Sequence, residues 1–465
     1  MDNTYLTRTV GTPTNIDKYT FSVWIKRGDI GQANSKIFSV SSGSSYGEEK
    51  LEFNADAIKT NLTDTSGNNY WSYTTNRKFK DPLAYYHLVL SVDTTLGTPA
   101  DRVKLYVNGV QETSFSSSTN SPQDRDSYIN KNGSTIYIGR LHNGSSQNFG
   151  GVMSHMHFID GTAYTASTFG STDPTTGEWT INTSPSVTYG NNGFFILKDG
   201  TNLSGSTVQD QSGNSNNFTV GGGTLTKTED NPSNVFATLN PLYGNGSYGF
   251  TNGNNSLEGN NTNSWATAVL ATIGATSGKY YWEVRQVAGS QTDYNLFGFM
   301  QTNYSYTGSN LISTSYLNGI QTHQSTTVTV YNGTDASTYL KAGGSQISVS
   351  DNDIVSFALD LDNQKGWVAK NGVYSDDLNG YAGNPSAGSY ALWTSSVIPS
   401  GQLYAPVSIQ YYDPRCQYNF GNGFFGTTEI TTNTGTGFQD ADGNGRFFYN
   451  PPTNFKCLST KGINQ

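Results

Sequence analysis

Charge is scarce in this chain: only 13% of its 465 residues are Asp, Glu, Lys or Arg, against about 25% in a typical soluble domain. The 26 Lys and Arg form no basic block and are outnumbered by 35 Asp and Glu, which gives a net charge of −9. A phosphate backbone is bound through clustered cations. We therefore expect no nucleic-acid partner.

Long apolar runs are also missing, and no stretch approaches the roughly 18 apolar residues that a membrane-spanning helix needs. We expect no insertion into a membrane. Residues 1–10 lack a charged start followed by an apolar stretch, so the sequence predicts no signal peptide.

Cysteine is nearly absent, with only Cys416 and Cys457 in the chain. One pair in a chain of this length is no disulfide framework, so we favour two reduced thiols over a disulfide. Arg415 next to Cys416 could lower the pKa of its thiol, but no histidine is near in sequence. We expect an inert thiol.

What the chain does contain is runs in which every second residue is apolar, bounded by turn signals. This pattern is typical of β-strands. Phe21, Val23 and Ile25 alternate with other residues, and several such runs end in Asn-Gly. A buried run, a turn, a second strand and Asn-Gly-Val occur twice, at 88–110 and 354–373. Asn-Gly favours type I′ hairpins. The sequence therefore predicts an all-β fold of two antiparallel sandwiches.

Four segments follow from the spacing of these patterns. Residues 194–197 and 218–220 read as strands inside a Thr-, Gly- and Asn-rich stretch, which we interpret as a structured bridge. The predicted organisation is a first sandwich at 1–170, a bridging segment at 171–247, a second sandwich at 248–426 and a C-terminal extension at 427–465.

Several segments resemble known families. TFSVWIKRG (20–28), YYHLVLSVD (85–93), VKLYVNGVQ (103–111), IYIGR (136–140) and HMHFIDGTAYTASTFGSTDPTTGEW (155–179) resemble the laminin G-like, concanavalin A-like domain of marine phage fibre proteins. GKYYWEVR (278–285), FGFM (297–300), IVSFALDLDNQKGWVAKNGV (354–373), LYAPVSI (403–409) and YNFGNGFFG (418–426) resemble a SPRY domain. DQSGNSNNFTV (210–220), DNPSNVFATLNPL (230–242) and the ending at 442–464 are similar to the same phage proteins.

The resemblance implies two concanavalin A-like sandwiches, laminin G-like and then SPRY-like, in a tail or capsid fibre of a virion. Such a protein would be made in the host cytoplasm, released by lysis, and joined to other virion proteins or to a host-surface glycan. A homotrimer is expected by analogy with phage fibres, although no coiled-coil heptad supports it. A purely structural virion component and a polysaccharide-degrading enzyme stay open as alternatives.

Catalytic patterns are weak, and we expect a protein that is not an enzyme. Sandwich glycosidases need two carboxylates about 5–10 Å apart across a sugar bond. Glu48, Glu49 and Glu52 are close in sequence, but Glu52 alternates with Leu51 and Phe53 like an outward strand residue. No G-x-S-x-G motif accompanies the five histidines.

Two metal sites are conceivable. His155 and His157 would share one face of a strand, but they lack a third ligand. Asp440, Asp442 and Asn444 in DADGNG match the opening of an EF-hand loop, so Ca²⁺ is the one candidate cofactor. The position of the bidentate glutamate is Pro451, which favours an ordinary Asx-rich turn.

Sugar binding is the remaining chemistry, because aromatic rings stack on sugars while amides and carboxylates bind hydroxyls. Three aromatic groups are candidate ligand-binding sites, with packing in cores or subunit contacts as the competing interpretation. They are Tyr70, Trp71 and Tyr73; Tyr304 and Tyr306; and Tyr411, Tyr412 and Asp413.

Overall fold

The computed structural model describes residues 3–41, 47–144, 146–198, 203–243, 248–259, 268–288, 293–302, 316–323, 328–333, 335–431 and 437–464. Strands make up 47% and helix 2% of it, which confirms the all-β prediction. The chain divides into two compact units, Met1–Lys227 (unit 1) and Thr228–Gln465 (unit 2). No helix in the described ranges is long and apolar enough to cross a membrane.

Unit 1 consists of strands and two short 3₁₀ helices, Pro99–Asp101 and Ala166–Thr168. Its strands are β1 (Tyr5–Thr9), β2 (Lys18–Arg27), β3 (Ser35–Ser41), β4 (Glu48–Asn54), β5 (Ala57–Thr63), β6 (Asn69–Lys78), β7 (Tyr85–Asp93), β8 (Val103–Val107), β9 (Val110–Gln111), β10 (Phe115–Thr119), β11 (Thr135–Ile138), β12 (Gly151–Asp160), β13 (Gly170–Thr172), β14 (Trp179–Ile181), β15 (Phe194–Ile196), β16 (Leu203–Ser204), β17 (Thr207–Val208) and β18 (Phe218–Gly221).

Two sheets of unit 1 form a sandwich. The larger has ten strands in the order β10-β6-β5-β4-β3-β11-β1-β18-β17-β16, and the smaller has six in the order β15-β12-β2-β7-β8-β9. Their inner faces share one apolar core, in which the rings of Phe21 and Phe38 have centroids 4.8 Å apart. The outward face of the six-stranded sheet is covered by residues 161–190, whose Phe169 and Trp179 pack on Val89.

The segment predicted as a bridge contributes strands to unit 1. β15 pairs with β12, and β18 pairs with β1, so both strands predicted within this stretch are present. Phe194 and Phe218 are fully buried in the core of unit 1. The division between the two units therefore falls inside the predicted bridge, near its C-terminal end, because long-range strand pairing draws its first part into the sandwich.

Unit 2 has nineteen strands and one short helix, α1 (Thr460–Ile463), among its described residues. Its strands are β19 (Gly249–Thr251), β20 (Ser256–Glu258), β21 (Ala268–Leu270), β22 (Lys279–Ala288), β23 (Tyr294–Gln301), β24 (Leu317–His323), β25 (Thr329–Asn332), β26 (Asp335–Tyr339), β27 (Lys341–Ala342), β28 (Ser345–Gln346), β29 (Ile354–Asp360), β30 (Lys365–Lys370), β31 (Val373–Tyr374), β32 (Tyr404–Tyr411), β33 (Arg415–Asn419), β34 (Phe424–Phe425), β35 (Thr428–Glu429), β36 (Phe438–Gln439) and β37 (Arg446–Phe447).

Unit 2 is a second antiparallel sandwich. A seven-stranded sheet, β19-β20-β33-β22-β29-β30-β31, faces a six-stranded sheet, β21-β32-β23-β24-β25-β26. Edge-to-face contacts join the layers: Phe297 of β23 meets Tyr418 of β33 with ring centroids 6.3 Å apart. The predicted C-terminal extension belongs to this unit, because the backbone N–H of Ala237 donates to Leu458 and Phe447 packs on Tyr281.

The repeated hairpin has the same geometry in both units. Asn108 and Gly109 both have positive φ, 47° and 80°, as do Asn371 and Gly372, 49° and 80°. These angles give the predicted type I′ turns. Each asparagine also accepts a hydrogen bond from a backbone N–H near the start of a neighbouring strand, Asn108 from His87 of β7 at 2.7 Å and Asn371 from Ile354 of β29 at 2.9 Å.

Each unit buries one glutamate that receives two consecutive backbone N–H groups. Glu49 accepts from Tyr128 and Ile129, and burial raises its pKa to about 6. Glu283 accepts from Phe448 and Tyr449, and burial raises its pKa to about 7. These carboxyls fix loops onto the sheets and are closed to solvent.

Candidate functional site

The first aromatic group lies on strand β6 and points mostly into the protein. Trp71 is 1% exposed in the core, and Tyr73 is buried with its hydroxyl donating to Asn120 Oδ1 at 2.8 Å. Tyr70 is half-buried, and the guanidinium carbon of Arg125 lies 3.6 Å from its ring centroid. The structure thus corrects the ligand-binding interpretation of Trp71 and Tyr73, since neither presents a ring face to a sugar.

The other two aromatic groups are in unit 2. Tyr304 and Tyr306 lie outside the described residues. Tyr411 ends β32, and its ring meets that of Tyr412 edge to face at 4.8 Å. Tyr412 and Asp413 are half-buried, and the Asp413 N–H lies 3.5 Å from Asp293 Oδ1. Ligand binding by this group stays a prediction.

The predicted calcium loop is closed by its own backbone. Asp440 Oδ1 accepts the N–H groups of Asn444 and Gly445 at 2.6 and 2.9 Å, and its Oδ2 accepts the Cys457 N–H at 2.8 Å. Asp442 forms an ion pair with Lys456 at 3.1 Å. These contacts are those of the Asx-rich turn that the sequence favours, in which the Asp440 carboxylate accepts N–H groups and the Asp442 carboxylate pairs with a lysine. A Ca²⁺ site at Asp440, Asp442 and Asn444 stays a prediction.

The histidine pair is also engaged within the protein. A bulge interrupts β12 between Ser154 and His157, and His155 has a φ of 46°, so the regular alternation assumed for the pair is broken. His157 stacks on Phe195 at 4.0 Å, and burial lowers its pKa well below the ordinary value. Within the described ranges, no group of three or more His, Cys, Asp or Glu could hold a metal ion.

Both cysteines are buried and unpaired. Burial raises the pKa of the Cys416 thiol to about 12, which keeps it protonated at neutral pH. The interpretation of Cys416 as an inert thiol agrees with this environment.

A different group of polar side chains comes together on the face of the ten-stranded sheet that points away from the apolar core, where most of them are buried, Asn61 at 3% and Glu52 at 0% exposed. Ser39 of β3 pairs with Lys50 of β4, Lys50 with Asn61 of β5, and Asn61 with Ser72 of β6. Paired residues of neighbouring strands share a face. The residues that lie between them along each strand point into the apolar core. The register of the strands therefore separates a polar face from an apolar one. The polar face comprises Lys36, Ser39, Glu48, Lys50, Glu52, Lys59, Asn61 and Ser72.

Charges on the polar face are paired within it. Lys36 forms an ion pair with Glu52, and Lys50 forms one with Glu48 and a longer one, 3.6 Å, with Glu52. Burial lowers the pKa of Lys36 despite the opposing charge of Glu52. Burial also acts against the charge of Lys50, but Glu52 and Glu48 outweigh it and raise the pKa of that ammonium. Alternating donors and acceptors are therefore fixed in place.

An aromatic edge continues the polar face across the sheet. Tyr137 of β11 pairs with Ser39, and its ring lies 6.2 Å from that of Tyr5. The guanidinium carbon of Arg140 lies 4.1 Å from the Tyr5 ring centroid. Tyr5 and Tyr137 are half-buried. The sheet thus offers rings beside its row of polar groups.

Several buried polar atoms at this face have no hydrogen-bond partner among the described residues. They are Asn61 Oδ1, Glu52 Oε1 and both ring nitrogens of His142. His142 lies in the loop after β11, with Nδ1 3.9 Å from Glu48 Oε2, and burial lowers its pKa. An unsatisfied buried polar atom costs free energy that a ligand hydroxyl would recover.

The polar face suits binding better than hydrolysis. Glu48 and Glu52 sit at i and i+4 on β4 and face the same way, but Lys50 stands between them and pairs with both. Sequence reasoning placed Glu52 on the face opposite Leu51 and Phe53, which the register has, but expected an outward residue, whereas Glu52 is buried and paired with Lys36. It missed the polar face as a whole. The alternation of Glu48, Lys50 and Glu52 along β4 is a signal for this polar face that the sequence contains. The residues beside them on the neighbouring strands follow only from the pairing of β3, β4 and β5.

Comparison with known proteins gives a partial match. Residues 2–167 match the family model described as the concanavalin A-like lectin/glucanases superfamily, a range that contains the polar face and the aromatic edge. Among curated proteins, none matches the chain. The concanavalin A-like, laminin G-like resemblance of the first sandwich is thereby confirmed.

Two SPRY domains are similar among solved structures. The SPRY domain of human HERC1 has 16% identity and a TM-score of 0.29, covering 39% of this chain and 96% of that chain. The PSpry domain of TRIM65 has 16% identity and a TM-score of 0.27, covering 39% of this chain and 91% of that chain.

Proposed function

We propose that the protein binds a neutral, hydroxyl-rich glycan through the polar face of unit 1. The observation that carries the proposal is the row of fixed donors and acceptors beside two tyrosine rings, together with the buried Asn61 Oδ1 and His142 ring nitrogens, which have no hydrogen-bond partner among the described residues. Sugar hydroxyls both donate and accept, and they match such a row. The lectin-type family match over residues 2–167 supports a carbohydrate- or protein-binding role.

Charge argues for a neutral ligand. Lys36 and Lys50 are already paired with Glu52 and Glu48, so neither sign dominates at the centre of the face. A strongly anionic glycan would have to displace these glutamates from the lysines, which costs buried ion pairs. A neutral glycan leaves them intact and bonds to their remaining lone pairs and protons.

The test is a glycan array probed with the labelled full chain. Asn61→Ala removes an acceptor that has no partner within the described residues, and we expect about tenfold weaker binding, equivalent to about 1.4 kcal/mol. Because Asn61 is buried, the Tm of the variant is measured alongside its binding. The control is Asn76→Ala, an exposed asparagine of the neighbouring strand β6. Equal binding by both variants, or no neutral glycan bound, would refute the proposal.

We propose further that the protein is a surface component of a phage particle, such as a tail or capsid fibre, made in the host cytoplasm and released by lysis. The support is the resemblance of 155–179, 210–220 and 442–464 to phage fibre proteins. Immunogold labelling of purified particles tests the location. Light scattering tests the trimer expected by analogy, and a chain that is monomeric would contradict it.

Absence of catalysis is part of the proposal, and it rests on the engagement of Glu48 and Glu52 by lysine. A hydrolase would need one of these carboxyls free as an acid and the other as a base or nucleophile. A reducing-sugar assay on host polysaccharide should show no release. A purely structural virion component is the alternative that an empty glycan array would favour.

A further inference from the structure

Unit 2 exposes a stacked pair of tyrosines, which we call the tyrosine platform: Tyr381 and Tyr390. The two residues are 58% and 49% exposed, and their rings stack with centroids 5.2 Å apart and planes 24° apart. Leu378 in the same loop is 52% exposed. Large apolar surface left in water is unfavourable, and contiguous exposed patches of it are typical of binding surfaces.

The loop that carries the platform is held by its own hydrogen bonds. Asp377 donates its N–H to the Tyr381 carbonyl at 2.8 Å, and its Oδ1 accepts the Tyr381 N–H at 2.9 Å. Asn384 and Ser389 exchange two backbone bonds of 3.0 Å each. Trp367 Nε1 below the loop donates to the Ser389 carbonyl at 2.9 Å. The rings are therefore presented on a defined support.

Tyr390 has a strained backbone. Its φ is 55°, in the left-handed region that bulky residues rarely adopt. Strain of this kind persists where the surrounding structure imposes it, and it concentrates at ligand-binding positions. Here the Asn384–Ser389 pairing and the Trp367 bond set the backbone just before Tyr390, and the ring stacks on Tyr381 in solvent.

Charged groups around the platform are already engaged. Asp376 accepts the N–H groups of Gly343 and Gly344 at 3.2 and 2.8 Å, and Lys365 Nζ donates to the Gly388 carbonyl at 2.6 Å. Asn379 and Asn384, which flank Tyr381 in the same loop, are exposed. Flat rings bordered by amides suit the C–H face and hydroxyls of an uncharged sugar ring.

We propose that the tyrosine platform is a second carbohydrate site, which stacks a neutral hexopyranose ring. It goes beyond the function proposed for unit 1, because it uses different residues of the other unit and stands or falls on its own. The rings supply stacking area at low entropic cost, since a tyrosine has only two side-chain torsions. The amides supply hydroxyl recognition.

The experiment uses the full chain labelled with 5-fluorotryptophan and followed by ¹⁹F NMR. The chain has seven tryptophans, and the Trp367 signal is assigned with Trp367→Phe. The probes are maltohexaose, cellohexaose and mannohexaose. We expect at least one to shift the Trp367 signal saturably, because Trp367 bonds to the residue before Tyr390.

The test variant is Tyr381→Ala/Tyr390→Gly, in which glycine tolerates the positive φ and keeps the loop geometry. We expect at least tenfold weaker binding by the Trp367 signal, with the other fluorotryptophan signals unchanged as evidence of folding. Tyr339→Ala, which removes another exposed ring of unit 2, should bind as the wild type does.

Three results would overturn the proposal. They are no Trp367 shift with any of the probes, an equal affinity for the double variant, and a shift caused by decaproline but by none of the sugars. The last would assign the platform to a proline-rich peptide. Because the readout lies in unit 2, loss of glycan binding by Asn61→Ala on the array neither supports nor weakens this result.

Discussion

Glu283 makes the stability of unit 2 depend on pH. Burial raises the pKa of this carboxyl from 4.5 to about 7, although Phe448, Tyr449 and Asn419 donate hydrogen bonds to it. A raised folded-state pKa means that the folded chain holds the proton more tightly than the unfolded chain. The contribution of protonated Glu283 to the free energy of unfolding is therefore complete below pH 4.5 and is lost as the pH rises through 7.

The size of this pH dependence follows from the pKa values of Glu283 in the unfolded and the folded chain. With about 1.4 kcal/mol for each unit of pKa, linkage gives a free energy of unfolding about 2.5 kcal/mol lower at pH 8 than at pH 5 from this group alone. Glu283→Gln removes the titration, but its amide nitrogen faces an N–H donor, so we expect it to cost about 1–3 kcal/mol at pH 5. The difference from the wild type should shrink towards pH 8.

The assay is urea unfolding at pH 5, 6, 7 and 8, with the ¹⁹F signal of Trp282 reporting on unit 2. Tyr281→Phe is the matched control, because it removes one hydroxyl donor to Glu283 and leaves the carboxyl. It should keep the pH dependence of the wild type or increase it. An unchanged pH dependence in Glu283→Gln would refute the reasoning.

Three further predictions follow from the described contacts. Trp71→Ala should lower the free energy of unfolding of unit 1 by about 3–5 kcal/mol in urea titrations, because it opens a core cavity; a loss below about 1 kcal/mol would contradict a core position. Asp440→Ala should lower the free energy of unfolding of unit 2 by about 3 kcal/mol, because three backbone N–H groups lose their acceptor. Adding Ca²⁺ or a chelator should leave the Tm of the wild type unchanged. A rise in Tm with Ca²⁺ would show that the loop binds the metal. Tyr390→Gly should raise the stability of unit 2 by about 1 kcal/mol, as relief of the positive φ exceeds the entropy of glycine; a destabilised variant would show that the backbone is unstrained.

Local patterns in the sequence predicted the strands and their turns. The alternation of Phe21, Val23 and Ile25 and the Asn-Gly pairs are local signals, so period and turn chemistry were sufficient for β2 and for the hairpin at Asn108. The two strands of the predicted bridge were recognised as well. Their membership of unit 1 depends on pairing with β1 and β12, which lie far away in sequence.

The candidate site escaped prediction for the same physical reason. Lys36, Lys50 and Asn61 become neighbours only through the registers of β3, β4 and β5, and a slip of one residue would reverse every face. The error at Trp71 is the converse. Because it follows the loop-like pair Asn69-Tyr70, it was expected in an exposed ligand-binding group, but it lies on the inward face of β6. The composition of the chain does not distinguish the polar face of the sheet from its inward face.

The most direct test of glycan binding at the polar face is a crystal structure of the full chain with a neutral oligosaccharide taken from the array. We predict sugar density over β3–β6, with a hydroxyl within hydrogen-bond distance of Asn61 Oδ1 and another at the His142 ring. Sugar bound elsewhere on unit 1, with Asn61 and His142 untouched, would contradict the account.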